Sequence, residues 1–342
     1  MANRFHKARF KTIVRNYGLQ LHNVKSYASL YKPNAAFRVS TDEGDFLIKP
    51  FYRRKIGNKL TTKQQIVRLS SYIQKLKEHG YPHLPNWLVT KSGGYWVTQS
   101  GRPYYMMEWV EGGQLQSEQD YENLGSALAT LHNICKGSLP PMSRCTRNQT
   151  KLFKMQDILF RRRLPTIRKR KGAGKWFNEH GGHCIKLANE AWGAIDAPEP
   201  KHIMEEEINH PALIHGDVTS PNVIIHSNGL FLIDWDQLRI DSTYYEIVKT
   251  LLNTTNYNQV QIDALLRGYE QLKPLIPAER VLVSSLFRLP VEAWIAARGI
   301  ASGRGSRVFR LLERTWDARL SAIQWMDEWA RRQPSDIAFV PH

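Results

Sequence analysis

Cysteine is scarce in this 342-residue chain: Cys135, Cys145 and Cys184 stand far apart and form no C-x-x-C. A disulfide framework is thereby excluded, and a zinc site, which needs thiolates or imidazoles at short spacing, has no support. His202, His210 and His215 lie close together, but at spacings that no common ligand pattern uses. No run of about 18 uncharged apolar residues occurs, so no membrane-spanning helix is expected. The basic start, MANRFHKARFKTIVRNYGLQ, lacks both an apolar core and a small-residue cleavage site. No secretory signal is read from it, and residence in the cytoplasm is expected. Internal repeats and low-complexity tracts are absent as well.

Acid is short relative to base: 48 Lys and Arg against 31 Asp and Glu give a formal charge of +17. Such a surplus attracts polyanions. Its densest part, RRRLPTIRKRKGAGK from Arg161 to Lys175, holds no acid at all, which fits a solvated helix face as well as an anion-binding one. The GAGK at its end is not a phosphate loop, because Lys169 stands where the first Gly of G-x-x-x-x-G-K-[ST] belongs and Trp176 where the Ser or Thr belongs. Nucleic-acid binding would rest on charge alone, since no helix-turn-helix, zinc-finger or RNA-recognition pattern is present, and it is disfavoured.

What is there is ordinary globular composition, 42% hydrophobic, and a length that accommodates two lobes with separate cores. The first third reads as strands. Ala35 to Ser40 and Asp45 to Phe51 flank the turn TDEG as a hairpin, and WLVTKSGGYWVTQSGRPYYMMEWVEGG supplies three further strand-like runs. Between them, Ile66, Leu69, Ile73 and Leu76 recur at helical spacing over Thr61 to Lys77. Five strands and one helix thus precede Gly112-Gly113, taken as the boundary between residues 1–111 and 112–342. Beyond it the period turns helical. Tyr121, Leu124, Leu128 and Leu131 form a stripe, with Ser117 and Asp120 arranged as a capping box. The stretches YYEIVKTLL, QVQIDALLRGYEQL, AERVLVSSLFRLPVEAWIAA and RVFRLLERTWDARLSAIQWMDEWARR all read as helices.

The chemistry is concentrated in LIHGDVTSPNVIIHSNGLFLIDWDQ, Leu213 to Gln237. Pro221 disfavours helix at Ser220, so Asp217 to Asn222 is expected as a loop. Val223 to Ile225 and Leu230 to Ile233 then pair about the turn SNG, bringing Asp217, Asn222 and Asp234 to one end of a hairpin. Phosphoryl transfer requires little covalent help from protein; it requires a hydroxyl held in line with the γ-phosphate and cations neutralising the phosphate oxygens. Magnesium suits such a set, since it takes oxygen ligands and commonly only one or two carboxylates beside phosphate. Asn222 and Asp234 offer those oxygens, and Asp217 can accept the proton of the attacking hydroxyl.

HGDVTSPN followed by LIDWD resembles the paired signatures of the aminoglycoside phosphotransferase and choline kinase branch of the protein-kinase-like fold. Within it, PNWLVTKSGGYWVTQSGRPYYMMEWVEG and LFRLPVEAWI are similar to the CotS-type spore coat proteins of endospore-forming bacteria. The resemblance implies an α+β, two-lobed fold: a small five-stranded antiparallel N-terminal lobe with one helix and a larger helical C-terminal lobe. It implies ATP and Mg²⁺ as cofactors, Asp217 as catalytic base, His215 as its buttress, and Asn222 and Asp234 as metal ligands, with Asp236 as a further acid near the metal or a cap for the following segment. Lys49 matches the phosphate-binding lysine. Glu108 and Val110 would meet adenine through the carbonyl of the first and the amide of the second. Gly216 stands where many protein kinases carry the Arg that holds a phosphorylated loop, so no such switch is expected.

Two departures matter. Between Ile56 and Lys77 there is no acid to pair with Lys49, and Gln65 is the expected neutral substitute. The loop YASLYKPNAAF has no G-x-G-x-x-G, which leaves Ser29, Lys32 and Asn34 as side-chain contacts for phosphate. The leading expectation is a kinase acting on a hydroxyl of a small molecule or glycan-like polymer, with spore coat proteins as partners; the basic surplus favours an anionic or neutral acceptor. The alternative is a kinase-like structural or binding protein of the spore coat with little turnover.

Overall fold

The computed structural model describes residues 2–28, 35–52, 60–135, 137, 139–142, 149–303 and 307–332. In chain order the elements are α1 (Ala2–Asn16), β1 (Leu21–Tyr27), β2 (Ala36–Thr41), β3 (Gly44–Pro50), α2 (Thr62–Glu78), β4 (Trp96–Gln99) and β5 (Arg102–Glu108). Next come α3 (Glu118–Asn133), α4 (Gln149–Ile167), α5 (Ala173–Ile195), α6 (Pro198–Asn209), β6 (Ala212–Ile214), β7 (Val223–His226), β8 (Gly229–Leu232) and β9 (Arg239–Asp241). Helices α7 (Thr243–Thr254), α8 (Gln259–Leu272), α9 (Pro277–Arg288), α10 (Val291–Ala301) and α11 (Arg307–Arg331) complete it. Two compact units result, Met1–Leu115 with His215–Arg239, and Gln116–Ile214 with Ile240–His342.

The first unit is built on an antiparallel five-stranded sheet of order β1-β2-β3-β5-β4. Two of its elements were not among those expected. Helix α1 places Phe10, Ile13, Val14 and Tyr17 on a core shared with Phe37, Val39, Ile48, Tyr104 and Met106. Strand β1 pairs with β2 at the sheet edge, while Trp87-Leu88-Val89-Thr90, expected as a strand, makes only an isolated bridge from Trp87 to Met107. The count of five strands therefore holds with one member exchanged, and among the described residues two helices rather than one precede Gly112. Helix α2 begins where its sequence predicts, with Thr61 and Gln64 closing a capping box. Pro50 is the last residue of β3, where its missing donor costs the ladder least.

Alternation along β5 decides what reaches the site. Tyr104 and Met106 face the α1 core, so Tyr105 faces the opposite way, directly across from Lys49 of β3. Gly112 and Gly113 join the β7–β8 hairpin to this unit: the Gly113 amide donates to the Ile225 carbonyl and the Ile225 amide to the Gly113 carbonyl, both at 2.9 Å. A Cβ on Gly112 would fall 2.3 Å from the Ile225 oxygen, so only glycine permits this approach.

The second unit is helical. Ser117 and Asp120 cap α3 reciprocally, as expected. The run read as one helix from Ala278 to Ala297 breaks instead at Leu289-Pro290, where proline disfavours helical backbone at the residue before it. Buried Arg319 of α11 donates to the Phe287 and Leu289 carbonyls at 3.1 and 2.7 Å, satisfying acceptors freed by the break. The basic run spans the end of α4 and the start of α5. Arg161 pairs with Asp157, and Arg162, Lys169, Arg170, Lys171 and Lys175 are exposed.

Buried His132 of α3 faces Tyr269 of α8 through Nδ1 (2.9 Å) and Glu246 of α7 through Nε2 (2.9 Å). Burial pushes its imidazole below the ordinary value, and Glu246 offsets this only in part. In the window between that depressed value and about 6.5 the unfolded chain binds the extra proton, so this contribution is full above about pH 6.5 and is lost as pH falls. Urea melts of wild type and His132→Gln should therefore show wild-type stability falling faster from pH 7 to 5, by at most ~1.4 kcal/mol per pH unit. The difference between the two chains isolates His132 from Glu207 and Glu270, whose carboxyls burial pushes up and which act with the opposite sign.

Candidate active site

The segment after β6 is fixed through its backbone. His215 is fully buried, with Nε2 3.0 Å from the Ile233 carbonyl and Nδ1 3.3 Å from the Asp217 amide. Those contacts suit the neutral ring with its proton on Nε2, donating to Ile233 and accepting from Asp217. The Asn222 side-chain nitrogen donates to the Asp217 carbonyl (2.8 Å), and the Ile233 amide donates to the Asn222 carbonyl (2.9 Å). Asp217 is thus held at both its amide and its carbonyl, and the hairpin crosses back over the loop as expected. Ser220–Asn222 forms a single 3-10 turn rather than open loop, with Pro221 inside its first turn, where a missing N–H is harmless. Trp235 packs edge-on to His215 at 4.5 Å and Tyr81 packs edge-on to Trp235, which ties the end of the hairpin to the chain after α2.

Asp234 ends the hairpin in the left-handed region, φ 66° and ψ 53°, which Asp tolerates better than most side chains. Its carboxylate accepts from the Lys49 ammonium, and Asp236 lies 2.9 Å from the same nitrogen. Burial alone would push the Lys49 pKa down, but Asp236 and Asp234 outweigh it and leave the ammonium above its ordinary value. Tyr105, which the sequence did not single out, donates its hydroxyl to the other Asp236 oxygen at 2.8 Å.

The Gln65 side chain donates to the Leu60 carbonyl at 3.1 Å. Glu108 closes β5, its amide donating to the Asn86 carbonyl (2.9 Å), and Val110 follows outside regular structure. Ser29, Lys32 and Asn34 lie outside the described residues.

Among the described residues no group of three or more His, Cys, Asp and Glu gathers to hold a metal. A closed protein cage is not what magnesium uses, since it dehydrates reluctantly and keeps water and phosphate as ligands. The donor set fits that cation: Asn222, its nitrogen engaged with Asp217, presents Oδ1, and Asp234 presents a carboxylate already facing a positive charge.

The profile of APH, the phosphotransferase enzyme family, matches residues 33–282. The chain belongs to that family. A homoserine kinase of Caulobacter sp. (strain K31) is 24% identical over 272 residues, 75% of this chain and 74% of its own length. The aminoglycoside phosphotransferase from Alicyclobacillus acidocaldarius superposes with a TM-score of 0.79 at 13% identity, covering 93% of this chain and 95% of the other. A spectinomycin phosphotransferase solved with ADP and spectinomycin gives 0.58 at 14% identity, covering 91% and 90%. At such identities the structures establish the fold, which is the α+β kinase-like one.

In this phosphotransferase Gly216 is required by its backbone, at φ +80°. A Cβ there would lie 2.1 Å from Arg239 Nη1 and 2.6 Å from the Gln237 carbonyl. Gly216→Ala should lower stability by about 1–3 kcal/mol, combining left-handed strain with displacement of Arg239, and a melting curve reads it directly.

Proposed function

We propose that the chain transfers the γ-phosphate of ATP to a hydroxyl of a small molecule. The reading rests above all on one juxtaposition: the lysine Lys49 faces the carboxylate Asp234 at the end of a hairpin that also fixes Asp217 and Asn222. Asp217 accepts the proton of the attacking hydroxyl as its oxygen bonds to the γ-phosphorus, and the bond from that phosphorus to the bridging oxygen breaks to release ADP. His215 holds the Asp217 amide in place. Asn222 and Asp234 would hold Mg²⁺, which would supply the charge that neutralises the phosphate oxygens. Lys49 binds phosphate, Glu108 and Val110 receive adenine by backbone, and Ser29 and Asn34 complete the phosphate contacts.

The homoserine kinase relative makes homoserine the first acceptor to try, followed by neutral and anionic glycans, which the basic surplus favours. Association with a spore coat, carried by the sequence resemblance alone, belongs to the same proposal. Millimolar ATP with Mg²⁺ should raise the melting temperature, and ATP with a chelator should raise it less. A melting temperature indifferent to both would refute the reading.

A further inference from the structure

Lys49 lies between two carboxylates that are not equivalent. Asp234 has a side-chain exposure of 38%, whereas Asp236 has 19% and Lys49 11%. The more open carboxylate is the one a ligand can reach. Asp236 is engaged on both oxygens, Oδ2 by Lys49 at 2.9 Å and Oδ1 by the Tyr105 hydroxyl at 2.8 Å. Tyr105 is itself fully buried and stacked on Trp87, ring centroids 4.3 Å apart and planes within 11°. It also stands across the β3–β5 ladder from Lys49, so the same sheet register positions lysine and tyrosine. Helix α2 offers no carboxylate from Thr62 to Lys77.

We propose that Asp236, fixed by Tyr105, is the positioning residue that anchors Lys49 when Asp234 turns to the nucleotide and its cation. This rests on the phosphotransfer reading and assigns Asp236 to the lysine rather than to the metal. Removing the ammonium from Asp236 would leave a largely buried carboxylate without its cation, a costly state, whereas Asp234 can exchange one cation for another in a more open setting. Burial and the two carboxylates hold the Tyr105 hydroxyl well above its ordinary pKa, so it remains a donor.

The test is a double-mutant cycle on the full chain with Asp236→Asn, Lys49→Met and both together, with Tyr105→Phe as a variant that keeps the ring packing. Without nucleotide, Asp236→Asn should lower the melting temperature in the wild-type background and much less in the Lys49→Met one. Calorimetric titration with Mg²⁺ and the non-hydrolysable analogue AMP-PNP should show affinity falling about tenfold for Asp236→Asn and a few-fold for Tyr105→Phe. Neither change should matter by more than about twofold once Lys49 is Met, and the Mg²⁺ concentration giving half-maximal binding should stay that of wild type. Additive losses without nucleotide would overturn the anchor. Equal weakening of AMP-PNP with and without Lys49, or a raised Mg²⁺ requirement, would overturn it in favour of a metal ligand. Wild type that binds no AMP-PNP while the nucleotide-free coupling is intact would instead refute phosphotransfer, and this role with it.

Discussion

Asp217→Asn should lower phosphate transfer by about 10²–10⁴, the usual contribution of a positioned base, and leave Mg²⁺-nucleotide affinity nearly unchanged. The substitution preserves the local scaffold: the Asp217 amide still meets His215, and its carbonyl still accepts from Asn222. Only the proton acceptor is lost. In terms of kinetics kcat should fall while the nucleotide KM stays level, the pattern of an interaction made in the transition state. Steady-state rates together with AMP-PNP titration of the same preparation check both halves of the expectation.

A larger disturbance is expected at Asp234. Asp234→Asn keeps a side chain that tolerates left-handed backbone but removes the charge shared by Lys49 and the cation. Nucleotide binding that depends on Mg²⁺ should largely disappear, taking with it the ~2.7 kcal/mol of stabilisation that a ligand at 100 times its Kd confers. Transfer should fall by about 10³ or more, since a metal ion supplies several kcal/mol of transition-state stabilisation. Asp234→Ala should share these losses and in addition melt lower without nucleotide, because alanine bears about 1–2 kcal/mol more strain at a positive φ of 66°. Melting curves of the two variants with and without Mg·ATP separate charge from backbone.

The difference between what the sequence made legible and what it did not follows the range of the forces involved. Local signals were reliable. The start of α2 at Thr61, the capping box at Ser117, the turn at Ser227-Asn228-Gly229 and the convergence of loop and hairpin all depend on neighbours within a few residues. Helix α1 was equally local, since Phe10, Ile13, Val14 and Tyr17 have helical spacing, but a dense basic background masked the stripe. Strand β1 gave little to read: LHNVKSY lies at the sheet edge, mostly exposed, with a register shift after Leu21, so it lacks clean alternation.

Long-range contacts were invisible for a different reason. Lys49 and Asp236 are separated by most of the chain, and Tyr105 joins them only because β5 inserts beside β3 with Lys49 opposite Tyr105. No periodicity encodes that register. The lack of any acid from Thr62 to Lys77, by contrast, was plain in the sequence, while the position of a substitute near Lys49 required three-dimensional structure.

The most direct test of the central claim follows label from the γ-position of ATP in the presence of Mg²⁺, with homoserine and neutral or anionic glycans as acceptors. The account predicts label covalently attached to an acceptor hydroxyl by the wild-type chain and almost none with Asp217→Asn. Equal transfer by both chains, or no transfer to any acceptor from folded, nucleotide-saturated wild type, would contradict it.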